Sequence, residues 1–220
     1  MGRRLLIFGP PAAGKGTHAR RLAQELGVPH IAAGDMLRQA ISEGTPLGNQ
    51  AAEFISRGEL VPDAVVISLI GQRLAEPDAA PGFLLDGFPR TLPQAETLDQ
   101  AVEGQAVTVD TVLCLDAPEE ALVRRVAGRF TCTGCQAVYN RFEQPPKVDG
   151  VCDACGAPLA KRPDDNETAV RRRLEQYRAK TAPLLAFFEA KGWPVRFVTA
   201  VGPVEDIFRR LRSAAEGVAA

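Results

Sequence analysis

Short apolar runs alternate along the chain with longer segments in which apolar residues recur every three or four positions. An apolar run bounded by turn-forming residues is typical of a buried strand, and the three-to-four spacing is typical of an amphipathic helix. Five such runs predict strands, at residues 5–8, 28–31, 83–85, 111–115 and 193–199.

Helical spacing fills the intervals between these runs. In the first interval, Leu22 and Leu26 fall on one face with two alanines. Pro118 is expected as a first helical residue, and Pro183 is expected to kink a long helix. Strands that alternate with helices predict an α/β fold, a three-layer sandwich with a five-stranded, mostly parallel sheet between helices. The predicted helices follow residue 15 and cover residues 35–41, 47–55, 63–74, 92–101, 118–127, 167–188 and the region around 207–211.

The periodicity is lost between residues 128 and 165, where cysteine, glycine and proline cluster. We interpret this stretch as a small domain inserted into the α/β domain. A chain of 220 residues is long enough for one globular domain with such an insertion.

Charge and hydropathy exclude several classes of protein. The formal net charge of −1 leaves no global basic field for nucleic acid or an anionic membrane. No stretch approaches the roughly 20 apolar residues that a membrane span needs. Arg3 and Arg4 precede an apolar run that soon meets glycine and proline, which does not fit a signal peptide. We therefore expect a soluble, cytoplasmic protein. We also expect a monomer, because no apolar stripe is left over.

Residues 9–17, with the sequence GPPAAGKGT, join the first predicted strand to the first predicted helix. Glycines let the backbone curl around an anion, and peptide N–H groups at the helix terminus then point at it. We interpret this stretch as a phosphate-binding loop (P-loop), in which Lys15 reaches phosphates and Thr17 offers a hydroxyl near Mg²⁺. The general motif places Ser or Thr directly after the lysine, whereas Gly16 intervenes here. A glycine-rich turn without a ligand is the alternative.

Four of the five cysteines form two C-x-x-C pairs, Cys132 with Cys135 and Cys152 with Cys155, separated by 16 residues. Four thiolates complete the tetrahedral shell of a structural zinc ion. The insertion has too little core to fold firmly unaided, so zinc would order it. Two unligated pairs or a redox switch are the alternatives.

Asp86 follows the third predicted strand, where a carboxylate can hold Mg²⁺ beside a phosphate loop. Phosphoryl transfer needs positive charge around the transferring group more than it needs a general base. Six arginines lie near predicted element ends or in the insertion, although any one of them could be a surface residue: Arg38, Arg90, Arg125, Arg129, Arg162 and Arg173.

The remaining candidate side chains carry less information. His18 and His30 have no metal-ligand spacing to any other residue, so we expect both to be incidental. Cys114 lies within an apolar run and is expected to be a small buried side chain.

Taken together, these motifs resemble the adenylate kinase family, in particular its long-lid bacterial type with a zinc-binding lid. The resemblance covers essentially the whole chain in order. It rests on residues 14–17 (GKGT), 34–38 (GDMLR), 86–90 (DGFPR) with Gln94, 125–129 (RVAGR), 162–165 (RPDD) and 171–174 (RRRL).

The resemblance implies reversible transfer of a phosphoryl group from MgATP to AMP, giving two ADP, with one structural zinc ion. It divides the chain into a core P-loop domain (1–31, 62–127 and 166–220), a monophosphate-binding segment (32–61) and a zinc-binding lid (128–165). The implied catalytic residues are Lys15, Asp86, Arg90, Arg129, Arg162 and Arg173.

Binding roles follow from the same resemblance. Arg125 would pack on the adenine of ATP, and Gln94 would bind the adenine of AMP. The implied ATP-binding residues are Ala12, Ala13, Gly14, Lys15, Gly16, Thr17, Arg125, Arg129, Val138, Tyr139 and Gly202. The implied AMP-binding residues are Ala33, Arg38, Glu59, Leu60, Val61, Gly87, Phe88, Pro89, Arg90, Gln94, Arg162 and Arg173.

Three positions depart from the family pattern. Ala32 and Ala33 stand where the family usually has Ser-Thr, so a hydroxyl near AMP is missing and only backbone contact at Ala33 carries over. Glu59 stands where lysine is frequent, which leaves it a backbone role. Ala200 replaces a common glycine near the ATP base.

Two other functions stay open from the sequence. A kinase of the same architecture could use CMP, UMP or GMP as acceptor, or GTP as donor; Gln94 and the long insertion favour AMP. A non-catalytic zinc-ribbon module that uses nucleotide only as a switch is the alternative of another class. The cysteine pairs lie inside an α/β chain with arginines on both flanks, and the net charge is near zero. Both points disfavour a nucleic-acid partner.

Overall fold

The computed structural model describes residues 3–104, 108–162 and 165–217. Five of the strands in these residues form one parallel sheet, in the order β2-β3-β1-β4-β8. The predicted five-stranded sheet is therefore confirmed, with boundaries shifted by at most two residues. The strands are β1 Arg4–Phe8, β2 His30–Ala32, β3 Phe83–Asp86, β4 Thr111–Asp116, β5 Arg129–Cys132, β6 Val138–Asn140, β7 Leu159–Ala160 and β8 Val195–Thr199.

Helices pack on both faces of this sheet, as the alternation of strands and helices predicted. The central strand β1 shows why: Leu5 and Ile7 belong to one buried cluster, whereas Leu6 and Phe8 belong to the other. The helices are α1 Lys15–Leu26, α2 Ala33–Ser42, α3 Pro46–Ser56, α4 Asp63–Leu74, α5 Leu92–Glu103, α6 Glu119–Ala127, α7 Glu167–Gln176, α8 Leu184–Ala190 and α9 Val204–Glu216.

The parallel strands bring their carboxyl ends to one edge of the sheet. The loop after β1, the start of α2 after β2 and the turn after β3 therefore lie side by side. Gly9 opens the first of these loops with φ of 135°, and a Cβ there would overlap the carbonyl group of Leu115 on β4. Only glycine fits so close to the neighbouring strand.

The insertion contains more regular structure than its sequence indicated. Strands β5, β6 and β7 form an antiparallel sheet in the order β6-β5-β7. These strands have four, three and two residues, too few for an alternating pattern to show. Their small core is formed by Cys132, Tyr139 and Cys152.

The prediction for Pro118 was wrong, whereas the long helix is interrupted at Pro183, where a kink was expected. Pro118 is the residue before α6, with ψ of 147°, and is not the first helical residue. The single kinked helix expected over 167–188 is two helices, α7 and α8, joined by a π-helical turn at Tyr177–Thr181. Pro183 directly precedes α8.

No helix in the described ranges is long and apolar enough to cross a membrane.

Helices α2 and α3 pack unusually closely because of Gly48. Thr45 caps α3 by accepting a hydrogen bond from the amide of Gly48 at 3.0 Å. A Cβ at Gly48 would overlap the carbonyl group of Ala40 and lie 2.5 Å from the amide nitrogen of Ile41. A methyl group at this position would therefore force the two helices apart.

We predict that Gly48→Ala destabilises the protein by about 1–3 kcal/mol, because backbone atoms must move to admit the methyl group. Gly71→Ala is the matched control: Gly71 lies in α4 and a Cβ there meets nothing within 4 Å. The control should gain roughly 0.5–1 kcal/mol, the usual benefit of replacing a helical glycine. Urea unfolding of both variants measures the difference, and equal stabilities would contradict the packing argument.

Candidate active site

The loop between β1 and α1 has the backbone that an anion site requires. Ala12 and Gly14 have φ of 64° and 91°, both in the left-handed region. The amide of Ala13 donates to the carbonyl oxygen of Pro10 at 3.3 Å, which closes the turn. Helix α1 begins at Lys15, so its unpaired N-terminal amides are directed towards the concave side of the loop.

Gly16, the departure from the general motif, lies against Asp86. A Cβ at Gly16 would lie 3.3 Å from Asp86 Oδ2, closer than most real Cβ contacts. The extra glycine therefore lets the carboxylate at the end of β3 approach the start of α1. Thr17 is the next residue along, in the first turn of α1.

A cavity of about 320 Å³, here called the first cavity, lies over this loop. Its wall contains Lys15, whose Nζ donates to the carbonyl oxygens of Gly9 and Pro10 at 2.8 and 2.7 Å. Burial lowers the pKa of Lys15 from 10.5 to about 7, since the attraction of Asp86 only partly offsets it and nearby arginines lower it further. Lys15 is thus a poorly compensated cation at the loop.

Asp86 is held as an anion beside this lysine. Its side chain is 12% exposed, and His30 Nε2 lies 3.4 Å from its Oδ2. Burial alone would raise the pKa of Asp86, but the hydrogen bond with His30 and the charges of Lys15 and Arg90 outweigh it, so the pKa is lowered. The expectation that His30 is incidental does not match this contact. His18 lines the first cavity, and burial lowers its pKa to about 4.

All six arginines selected from the sequence line the first cavity. The insertion contributes Arg162, whose Nε donates to Thr131 Oγ1 at 2.9 Å. Burial, together with the neighbouring charges of Arg38 and Arg129, lowers the pKa of Arg162 to about 10. So many cations around one cavity favour a polyanionic ligand. The six are Arg38, Arg90, Arg125, Arg129, Arg162 and Arg173.

Carboxylates that the sequence analysis did not select hold several of these arginines in place. Asp165 is 1% exposed; it accepts from Arg129 Nε at 2.7 Å and lies 3.9 Å from Arg173 Nη1. Glu143 accepts from Arg125 Nε with both oxygens, at 3.0 and 2.9 Å. No sequence signal marked Glu143, because the two residues meet only when the loop after β6 folds onto α6.

Arg125 is oriented by more than this ion pair. Asn140 Nδ2 donates to the carbonyl oxygen of Arg125 at 2.8 Å, and the Arg125 side chain is almost fully buried. Its Nη1 is buried without a hydrogen-bond partner in the described part of the chain. A buried donor of this kind indicates a ligand atom at this position.

A second cavity of about 120 Å³ adjoins the first, and the two share Lys15, Arg38, Arg90 and Arg173. Most residues expected to bind AMP line it: Ala33, Arg38, Glu59, Leu60, Val61, Gly87, Pro89, Arg90, Gln94 and Arg173. The departure at Glu59 has a structural counterpart, since Arg172 Nη2 lies 3.0 Å from its carboxylate.

Gln94 is 2% exposed, and its amide is oriented by the protein. Its Oε1 accepts from the amide of Arg90 at 2.8 Å, and its Nε2 donates to Asp63 Oδ1 at 2.7 Å. The same carboxylate oxygen accepts from Thr91 Oγ1 at 2.8 Å. The sequence indicates Asp63 only as a helix start. Its contact with Gln94 spans 31 residues, and no local pattern predicts a contact over that distance.

Not every expected site residue reaches a cavity. Ala13 is fully buried, and Phe88 belongs to the hydrophobic core. Gly202, with φ of 104°, lines neither of the two cavities, although Val204 and Ile207 just beyond it line the first. Pro163 and Asp164, part of the quoted resemblance, lie outside the described residues. The other residues implied for ATP binding do line the first cavity: Ala12, Gly14, Lys15, Gly16, Thr17, Arg125, Arg129, Val138 and Tyr139.

The four cysteines of the insertion lie together in a group that could hold a metal ion such as zinc. Their sulfur atoms are all within 4.8 Å of one another. The pair Cys132 and Cys155 is separated by 3.4 Å, and Cys135 and Cys152 by 3.6 Å. A tetrahedral zinc site with Zn–S bonds of about 2.3 Å has sulfur atoms roughly 3.8 Å apart.

The fifth cysteine, Cys114, is buried as expected, and burial raises the pKa of its thiol to about 12.

Amide groups and a phenol surround these sulfur atoms. The amides of Gly134 and Cys135 donate to Cys132 Sγ at 3.3 and 3.4 Å. A hydrogen bond from Tyr139 lowers the pKa of the Cys152 thiol to about 6. Such donors stabilise the thiolate form, which is the form that binds a metal.

Comparisons with known proteins agree with the site. The family model for adenylate kinase matches residues 7–193. A protein named adenylate kinase from Carboxydothermus hydrogenoformans is 46% identical over 96% of this chain and 98% of its own length. The adenylate kinase of Streptomyces griseus is 48% identical over 96% of both chains. That of Moorella thermoacetica is 49% identical over 86% of this chain and 87% of its own. The chain therefore belongs to the adenylate kinase family of enzymes.

Proposed function

We propose that this enzyme transfers a phosphoryl group reversibly from MgATP to AMP and forms two molecules of ADP. The observation that carries this proposal is the junction of the two cavities, where Lys15, Arg38, Arg90 and Arg173 line both. Two nucleotides placed in the two cavities would meet with their phosphates among these four cations. Membership of a nucleotide phosphoryl-transfer family supports the same reaction.

The first cavity is the proposed ATP site. The phosphate loop would hold the β- and γ-phosphates through its amides and through Lys15, which would leave its carbonyl partners. The adenine would lie against Arg125, whose buried Nη1 lacks a partner in the described residues, with Val138 and Tyr139 beside it. Gly202 would contact ATP through its backbone only after a local shift, since it lines neither cavity.

The second cavity is the proposed AMP site. Arg38 and Arg90 would bind the α-phosphate, and Gln94 would form hydrogen bonds with the adenine. Asp63 and the backbone amide of Arg90 already fix the side-chain amide of Gln94. Little side-chain entropy would therefore be lost when Gln94 binds the adenine. Ala33 leaves only backbone groups at a position where the family usually has a hydroxyl.

Catalysis would rest on position and charge. Arg129, Arg162 and Arg173 would compensate the charge on the transferring group, and Lys15 would do so at the phosphate loop. Asp86 and Thr17 are suited to hold Mg²⁺, because one is a carboxylate kept ionised and the other a hydroxyl on the same cavity wall. The ion would neutralise phosphate charge when bound.

Movement of two parts over the core would exclude water from the junction. The proposed moving parts are residues 32–61 and 128–165, and the remainder is the core. Arg129 and Arg162, near the two ends of the insertion, line the first cavity, so closure of the insertion would deliver both charges. Zinc would keep this lid folded. The monomeric state and the cytoplasmic location stay predictions of the sequence.

The test of the function is a coupled assay with ATP and each of AMP, CMP, GMP and UMP. We expect ADP to form at once with AMP, far more slowly with the other three, and not with ATP alone. GTP in place of ATP tests the donor in the same assay. Binding of ATP without ADP formation with any acceptor would favour the non-catalytic nucleotide-switch alternative.

Lys15→Ala is predicted to retain the fold and lose most turnover, because the removed ammonium lies at the cavity that would hold the transferring phosphates. Lys180→Ala, an exposed lysine in the π-helical turn, is the control and should keep normal kinetics. Steady-state kcat for both variants measures the effect. A loss of less than about tenfold, or 1.4 kcal/mol, for Lys15→Ala would exclude the proposed role.

We also predict one zinc ion per chain, because the four sulfur atoms lie within 4.8 Å of one another. Cys155→Ser should lose the ion and lower the melting temperature, whereas Cys114→Ala should keep the ion. Metal analysis of protein purified under reducing conditions without chelator provides the measurement. Wild-type protein that contains no zinc would refute the zinc proposal.

A further inference from the structure

Tyr139 occupies a position between the first cavity and the cysteine group. It is the middle residue of β6 and pairs with Phe130 on β5. The residue is only 7% exposed, yet it lines the first cavity. Its hydroxyl oxygen lies 3.5 Å from Cys152 Sγ. One residue thus borders the proposed adenine site and contacts a proposed metal ligand.

The hydrogen bonds of this hydroxyl have a defined direction. The amide of Asp153 donates to the Tyr139 oxygen at 2.8 Å. A metal-bound Cys152 thiolate carries no proton, so the phenolic O–H of Tyr139 is the donor to its sulfur. A thiolate accepts such a proton well, and donors around metal-bound thiolates fix their orientation.

The neighbouring residues extend this contact to the nucleotide side. Asn140, next in β6, donates through Nδ2 to the carbonyl oxygen of Arg125 at 2.8 Å. Asp153, next to Cys152, accepts through Oδ1 from the amide of Lys147 at 2.9 Å. A continuous set of hydrogen bonds and covalent bonds therefore runs from Cys152 through Tyr139 and Asn140 to Arg125.

We propose that Tyr139 is a positioning residue that couples the cysteine-bound metal to the nucleotide cavity, because it holds Cys152 through its hydroxyl and itself forms part of the cavity wall. The inference rests on the proposed zinc and ATP sites. Coupling between two binding sites is reciprocal. Nucleotide that orders Tyr139 slows the release of zinc, and zinc that orders Tyr139 strengthens nucleotide binding.

Tyr139→Phe is the decisive variant, because it removes the hydroxyl and keeps the rest of the residue. Thr133→Val is the matched control. Thr133 lies between Cys132 and Cys135, but its hydroxyl donates to the carbonyl oxygen of Pro158 at 3.1 Å and not to a sulfur atom. Both variants remove one hydroxyl group close to the cysteine group, Tyr139 from β6 and Thr133 from the turn after β5.

The measurement is the rate of zinc transfer to an excess of chromophoric chelator, with and without a bisubstrate ligand of two adenosines joined by five phosphates. We expect Tyr139→Phe to release zinc about tenfold faster than wild type, the usual effect of removing a partner of a metal ligand. Thr133→Val should match wild type within about twofold. The bisubstrate ligand should slow release clearly in wild type and in Thr133→Val, and much less in Tyr139→Phe.

Several outcomes would overturn the proposal. Release from Tyr139→Phe at the wild-type rate would show that the hydroxyl does not hold Cys152. Equal protection by the ligand in wild type and Tyr139→Phe would show that the residue does not couple the sites. Cobalt substitution checks that the four-thiolate site still forms in the variant, through its tetrahedral absorption bands. Zinc-free wild-type protein would refute the zinc proposal itself, and failure of the wild type to bind the bisubstrate ligand would refute the nucleotide sites.

Discussion

The gathering of cations around one cavity is the constraint on which the rest of the site depends. Lys15 and seven arginines, the six selected from the sequence and Arg20, line the first cavity, and burial lowers the pKa of Lys15 and of Arg162. Positive charges around one cavity repel one another unless negative charges compensate them. Carboxylates do so here: Asp165 holds Arg129, Glu143 holds Arg125, and Asp86 lies near Lys15. The site is therefore preassembled but not neutral, a state in which a polyphosphate adds the missing negative charge.

The sheet explains how residues so distant in sequence reach this cavity. Parallel strands place the phosphate loop after β1, the turn after β3 and the start of α2 at one edge. Because β1 is buried on both faces, this edge is fixed rigidly relative to the helices. Close backbone contact at Gly9 and the approach of Asp86 to Gly16 depend on this rigidity. The insertion contributes further cations to the cavity, Arg129 and Arg162, although it has hardly any hydrophobic core.

The insertion illustrates how a small unit can be ordered without a large core. Its sheet has three short strands, and two of the three residues in its buried cluster are cysteines. A metal ion in the cysteine group would supply the stability that apolar burial supplies elsewhere. The third residue of that cluster, Tyr139, also lines the first cavity. Stability of the insertion and shape of the cavity are thus properties of the same few side chains.

The sequence by itself determined the elements whose signals are local. Apolar periodicity predicted all five strands of the main sheet, glycine spacing predicted the phosphate loop, and cysteine spacing predicted the metal group. The six arginines were selected because they lie near predicted element ends or in the insertion. All six line one cavity. Only the tertiary structure decided which partners these groups have. His30 meets Asp86 because β2 lies beside β3, Asp63 meets Gln94 across 31 residues, and Glu143 meets Arg125 through a loop. Periodicity and motif spacing record what one segment does, whereas strand order and loop packing bring distant segments together, and no local pattern encodes that.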